Sequence, residues 1–246
     1  MPLKASPEDQ AILLDLQAID TKLQQLAHRA NTLPEVATIV SLKADAESAR
    51  LTGVIDSGAL EDARTELRRV ESDVEVVEAR IKRDTERLDT TSSVKDVAGL
   101  EAELTSLRKR QSDLEDIQLA VMERVDELEL AASTSKSTHE SFLVRLAEAE
   151  ASRDAALTTL RAESDHASAN RAVMIAKLPA DLVALYERQR ERYGTGASHL
   201  QHGSSSASGV KFNENDMAAI RAAAPDDVVL CPDSNAILVR TAESGI

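Results

Sequence analysis

Aromatic residues are almost missing from this chain, which has two Phe, two Tyr and no Trp among 246 residues. Large rings usually dominate the area buried in a globular core, so a single thick core is excluded. Cysteine is scarcer still. The lone Cys231 rules out an intramolecular disulfide and any all-cysteine metal cluster within one chain. Nowhere do about 18 consecutive apolar residues occur, which excludes an ordinary membrane-spanning helix. Residues 1–8 lack the apolar stretch of a secretory leader, so a cytoplasmic protein is expected. Basic charge is in deficit: 29 Lys and Arg face 43 Asp and Glu, a formal net charge of −14. Over a Debye length of about 10 Å such a molecule repels phosphate backbones and anionic lipid surfaces. The acidity is explained by the solubility of an elongated protein.

What the chain has in quantity is aliphatic and charged residues at helical spacing. Ser6 before Pro7 and an acidic turn is a strong helix start, because serine caps free amides and proline needs no hydrogen bond there. Ile12, Leu16, Ile19, Leu23, Leu26, Ala30 and Leu33 then recur at steps of four and three, which is a heptad seam. Pro34 interrupts it. A second seam runs from Ile39 through Leu60, Val74 and Ile81 to Leu88, with a weak stretch from Gly53 to Gly58 that carries Asp56 and is expected to bend or fray. Residues 89–93 favour turns, and a third seam from Val97 through Leu128 weakens toward Leu160 and stops at Pro179. His139 falls on that seam beside Ser135 and Arg153, marking a thin, hydrated stretch.

Length fixes the arrangement. At 1.5 Å per residue the first two helices reach about 120 Å and the third about 125 Å. The fold class expected is therefore mainly α: a long antiparallel coiled-coil helical hairpin over residues 1–178, with helices at about 7–33, 35–89 and 94–178. A small C-terminal α+β head occupies 179–246. Helix 1 should lie against the late part of helix 3 and helix 2 against its early part, with Leu67 near Leu114. In the head, 180–192 and 213–223 read as short helices, 195–209 as a disordered Gly- and Ser-rich loop, and 228–230 with 237–239 as a strand hairpin.

The tail from Asn213 to Ile246, together with Ser6–Gln17, Arg110–Asp116 and Leu178–Arg188, resembles the actinobacterial C4-type zinc-ribbon domain proteins, a long helical hairpin followed by a small ribbon. The resemblance spans nearly the whole chain. It implies four metal-ligand positions at Ser205, Ser208, Cys231 and Ser234, two pairs spaced i, i+3 on two tight turns. Three carry serine, whose hydroxyl does not ionise near neutral pH and is a poor zinc ligand. The head is therefore expected to be ribbon-like, without the metal ligands and without a cofactor. Asn235 stands where the family's second turn has glycine, and Asn tolerates the left-handed conformation required there. His199 and His202, three residues apart, with Cys231 and Asp233 farther along the chain, are the candidates for a replacement metal site.

No phosphate-binding glycine loop, His-Glu-x-x-His or nucleophile elbow is present, and the abundant carboxylates lie on solvated helical faces, so no enzymatic activity is expected. Tyr186, Arg188, Arg190 and Arg192, with Lys211 and Arg221, are the candidate interaction surface. Residues 180–246 nevertheless hold six Lys or Arg against nine Asp or Glu, which disfavours phosphate binding. The reading that follows is a coiled-coil adaptor for an unidentified protein partner, monomeric or homodimeric and without membrane contact. Nucleic-acid binding through the head is the alternative.

Overall fold

The computed structural model describes residues 3–245, which divide into two compact units, one of residues 35–151 and one of residues 3–34 with 152–245. The long helices are α1 (Pro7–Asn31), α2 (Pro34–Thr90) and α3 (Val94–Ile175). Ser6 caps α1 by accepting the Asp9 amide, and Thr32 closes it through its own amide and hydroxyl on the His28 carbonyl. Pro34 is the first residue of α2, where its missing amide hydrogen costs nothing.

In the unit Glu35–Ala151, α2 and the first part of α3 form an antiparallel helical hairpin. Lys43 pairs with Glu150, Arg64 with Glu129, Glu66 with Arg124 and Glu78 with Gln111, so partner numbers fall as α2 advances. These pairs are exposed and each contributes at most about 1 kcal/mol. The seam itself is apolar and thin: Leu60, Ala63 and Val125 are buried together, with Leu67 and Leu128 against them. Leu67 packs against this cluster, and the adjoining Glu66–Arg124 pair sets it at the level of residue 124 of α3, not that of Leu114. The first turn of α3 does not pair: Val94 is 85 % exposed, and Leu100 is the first buried residue of the helix. The expected fraying at Gly53–Gly58 is also absent, since α2 is helical throughout. Asp56 on the seam accepts a hydrogen bond from the Ser135 hydroxyl, which offsets its desolvation.

The other unit packs α1 against the end of α3, with Leu26 and Leu160 both buried at that level. Beyond Pro179 come α4 (Ala180–Tyr193), β1 (Ala197–Gln201), β2 (Ser204–Ser205), α5 (Glu214–Ala222), β3 (Val229–Leu230), β4 (Ile237–Val239) and a 3-10 turn at Ala242–Ser244. The four strands make one sheet in the order β2-β1-β4-β3, antiparallel except for the central parallel pair β1–β4. The expected disordered loop at 195–209 is therefore corrected to an ordered β1–β2 hairpin. It turns at His202 and Gly203, both with positive φ, and is anchored by Leu200, which is wholly buried.

Strand periodicity gives the sheet two distinct faces. Leu200, Leu238 and Cys231 point to one face and pack with Phe212, Met217 and Ile220 from α5 and the segment before it. Ala197, Ile237 and Val239 point to the other and pack with Leu13, Leu16 and Tyr186 from α1 and α4. The N-terminal segment joins the same unit, because Ala5 donates to the Asp226 carbonyl and Leu3 accepts from Val228.

Candidate functional site

A dense polar cluster sits where α1, α3, α4 and β1 meet. Asp20 is buried on α1, and its carboxylate accepts from Arg171 Nε at 2.6 Å and from Arg171 Nη2 at 3.2 Å. The Tyr186 hydroxyl donates to the same carboxylate at 2.7 Å. Arg171 also contacts Glu187, which in turn binds Arg190 at 2.7 Å. Gln17 completes the cluster: its carbonyl oxygen accepts from Gly196 N at 2.7 Å and Ala197 N at 3.2 Å, fixing the entry to β1. Burial, then the hydrogen bond to Asp20, push the Tyr186 phenol far above its ordinary value. Its hydrogen bond to Asp20 holds the Arg171 guanidinium charged. Gly196 allows this packing, since a Cβ there would lie 2.5 Å from the Tyr186 ring. The four charges Asp20, Arg171, Glu187 and Arg190 are paired with one another, so the cluster braces α1, α3 and α4 together.

The four positions that the ribbon resemblance implied as ligands, Ser205, Ser208, Cys231 and Ser234, lie on two tight turns. In the first, Gly209 N donates to Ser205 O at 2.8 Å, and the Ser205 hydroxyl is buried 2.5 Å from that of Ser198. Ser198 Oγ also accepts from Ala207 N at 3.2 Å, while Ser208 is exposed and takes the Val210 amide at 3.3 Å. In the second, Asn235 N donates to Cys231 O at 2.9 Å and Ser234 N to Cys231 Sγ at 3.5 Å, and Asn235 holds a φ of 56°. Three hydroxyls, each already hydrogen-bonded (Ser205 to Ser198, Ser208 to the Val210 amide and Ser234 to the Ala236 amide), and one wholly buried thiol do not fit a zinc ion. The replacement candidates separate as well. His199 Nε2 lies 2.8 Å from Thr241 Oγ1, and His202 occupies the β1–β2 turn. Among the described residues no group of three or more His, Cys, Asp or Glu could hold a metal ion.

The candidate interaction surface divides in two. Tyr186 is wholly buried and Arg190 is half-buried against Glu187 and Asp20, so both belong to the brace and leave the surface set. Arg188, Arg192, Lys211 and Arg221 are exposed, with no ion-pair partner among the described residues. The first two stand one turn apart on α4. Sequence reasoning missed Asp20, Gln17, Arg171 and Ser198. The signal for Asp20 was present, because Leu13, Leu16 and Asp20 share one helical stripe. No described helix is long and apolar enough to cross a membrane.

A family model described as the CT398-like coiled coil hairpin domain matches residues 16–194. An uncharacterised protein of Mycobacterium tuberculosis is 35% identical over 239 residues, 97% of this chain and 98% of that protein. Another from Mycobacterium leprae is 28% identical over 223 residues, covering 90% and 96%. A solved structure from Mycobacterium smegmatis superposes with a TM-score of 0.81 at 34% identity, over 97% of this chain and 100% of that one. The structure of CT398 from Chlamydia trachomatis gives 0.61 at 14% identity, over 95% and 98%, a likeness of fold alone.

Proposed function

This chain belongs to the CT398-like coiled coil hairpin domain family, and from that premise we propose that it is a non-enzymatic cytoplasmic adaptor acting through protein–protein contacts. The observation that carries the proposal is the pattern of apolar side chains the hairpin leaves in water. Leu51, Val54 and Ile55 on α2 and Leu119, Met122 and Leu130 on α3 are all exposed, Ile55 and Leu130 at 70 % each. Exposed aliphatics on an otherwise charged helical pair are what a partner helix takes up. The head is a ribbon-like module that folds without a metal.

Photo-crosslinkers placed singly at Ile55 and Leu130 in the producing cells test this. A discrete adduct from the Leu130 probe that disappears on Ile55→Glu supports a hairpin-borne partner site. Adducts that are absent, or indifferent to the substitution, refute it.

One observation favours a second reading, nucleic-acid binding by the head: the four exposed cations Arg188, Arg192, Lys211 and Arg221, which have no ion-pair partner among the described residues. Filter binding of single-stranded RNA and duplex DNA at two salt concentrations separates the readings. Phosphate contacts by four cations would give a log–log slope of about −3 to −4, and weak, salt-insensitive retention would refute them.

A further inference from the structure

Between the second half of α1 and the β1–β2 hairpin lies a groove of about 520 Å³, within the range of small-ligand sites. Its charge is unusual for this molecule. Acids outnumber bases 43 to 29 over the chain, yet two of its three longest stretches without Asp or Glu, 21–34 and 192–213, meet across the groove, and no carboxylate lines it. Leu14, Ala18 and Ala197 supply an apolar floor.

The polar lining residues fall into two groups. Gln17, Thr21 and His199 are occupied: Gln17 takes the β1 amides, its amide nitrogen donates to Thr21 Oγ1 at 3.2 Å, and His199 Nε2 lies 2.8 Å from Thr241 Oγ1. Lys22, Gln25 and Gln201 have no hydrogen-bond or ion-pair partner among the described residues. Ser206 Oγ accepts from His199 N at 2.9 Å and lies 3.5 Å from Ser198 Oγ, so it belongs with the engaged groups. An ammonium with three donors and two amides with two each therefore border an apolar floor, and no acid competes for them. Such a set is complementary to an acidic group carried on an apolar body.

We propose that this groove binds a small organic anion, its carboxylate or phosphate held by Lys22, Gln25 and Gln201 and its apolar part on Leu14, Ala18 and Ala197. The site is independent of the adaptor function, since the apolar side chains that carry that reading lie on α2 and on α3 between residues 119 and 130.

Amide-detected NMR titration of the full chain tests the proposal, with benzoate and phenyl phosphate as probes and benzyl alcohol as the uncharged control. The expected result is saturable shifts centred on Lys22, Gln25, His199 and Gln201 for at least one acid and none for the alcohol. Which acid saturates tells carboxylate from phosphate recognition. Lys22 is exposed, so Lys22→Glu leaves the fold intact and is expected to weaken binding by about tenfold or more, with Lys22→Arg restoring it. Shifts that never saturate, that spread over exposed lysines with ionic strength, or that survive Lys22→Glu overturn the proposal. So does a single-stranded RNA that saturates these residues when neither small acid does, because the groove would then be part of a nucleic-acid surface.

Discussion

Asp20 accepts hydrogen bonds from two side chains on two other helices, so its removal strands several groups at once. Asp20→Ala leaves the half-buried Arg171 and the buried Tyr186 hydroxyl without their main partner and is expected to cost about 3–5 kcal/mol, measurable by urea unfolding. Tyr186 makes a second prediction. Its phenol is pushed far above the ordinary value of 10.0 by burial and by Asp20, so the folded state keeps the proton when the unfolded chain has lost it. The unfolded state then binds fewer protons, and stability falls as pH rises. This contribution is fully present below pH 10 and lost above it, at up to about 1.4 kcal/mol per pH unit. Unfolding at stepped alkaline pH shows a smaller slope in Tyr186→Phe than in the parent if Tyr186 is the source; equal slopes would reject that. Gly196 is constrained from the other side of the same ring, since any Cβ collides with it. Gly196→Ala is expected to cost about 1–3 kcal/mol through overpacking.

Among the elements, the helices were legible because their signals are local and redundant. Ser6-Pro7 starts α1, Pro34 starts α2, and Thr91 to Ser93 separate α2 from α3 as the turn chemistry indicates. The β1–β2 hairpin was not legible. Its Gly- and Ser-rich composition reads as loop, and its order comes from tertiary partners: Leu200 in the sheet core and the Ser198–Ser205 hydroxyl pair. The stripe of α1 was misread for a related reason. A single seam through Ile12 and Ile19 suits one neighbouring helix, whereas α1 has both α3 and the sheet beside it and buries Leu13, Leu16 and Asp20. The candidate site was half legible, because the serine positions were visible in the sequence and what replaced the ion was not. Purified protein is accordingly expected to contain no stoichiometric zinc by elemental analysis and to keep its melting temperature in chelator. One zinc per chain would refute this. Ser198→Ala, which leaves the buried Ser205 hydroxyl and the Ala207 amide unpaired, is expected to cost about 1–3 kcal/mol with or without chelator.

Over the whole molecule, the scarcity of aromatics becomes an experimental handle. Both tyrosines, Tyr186 and Tyr193, belong to the unit built from the chain ends, and the unit Glu35–Ala151 contains none. Tyrosine fluorescence therefore reports on one unit alone, while far-ultraviolet circular dichroism is dominated by α1, α2 and α3 together. The two units also rest on different physics. The hairpin unit is held by a thin aliphatic seam, whereas the end unit has two apolar clusters on a sheet and the Asp20 brace. A lesion in the brace should act on the end unit first. In Asp20→Ala the tyrosine transition is expected to move to lower temperature by about 4 °C for each kcal/mol lost, the scaling for a unit of this size, while most of the helical signal from α2 and early α3 melts near its parental temperature. Non-coincident transitions from two probes are the sign that a single two-state step no longer describes unfolding. Coincident curves that shift together would instead show that the units melt as one cooperative body, with the brace stabilising the hairpin as strongly as the head.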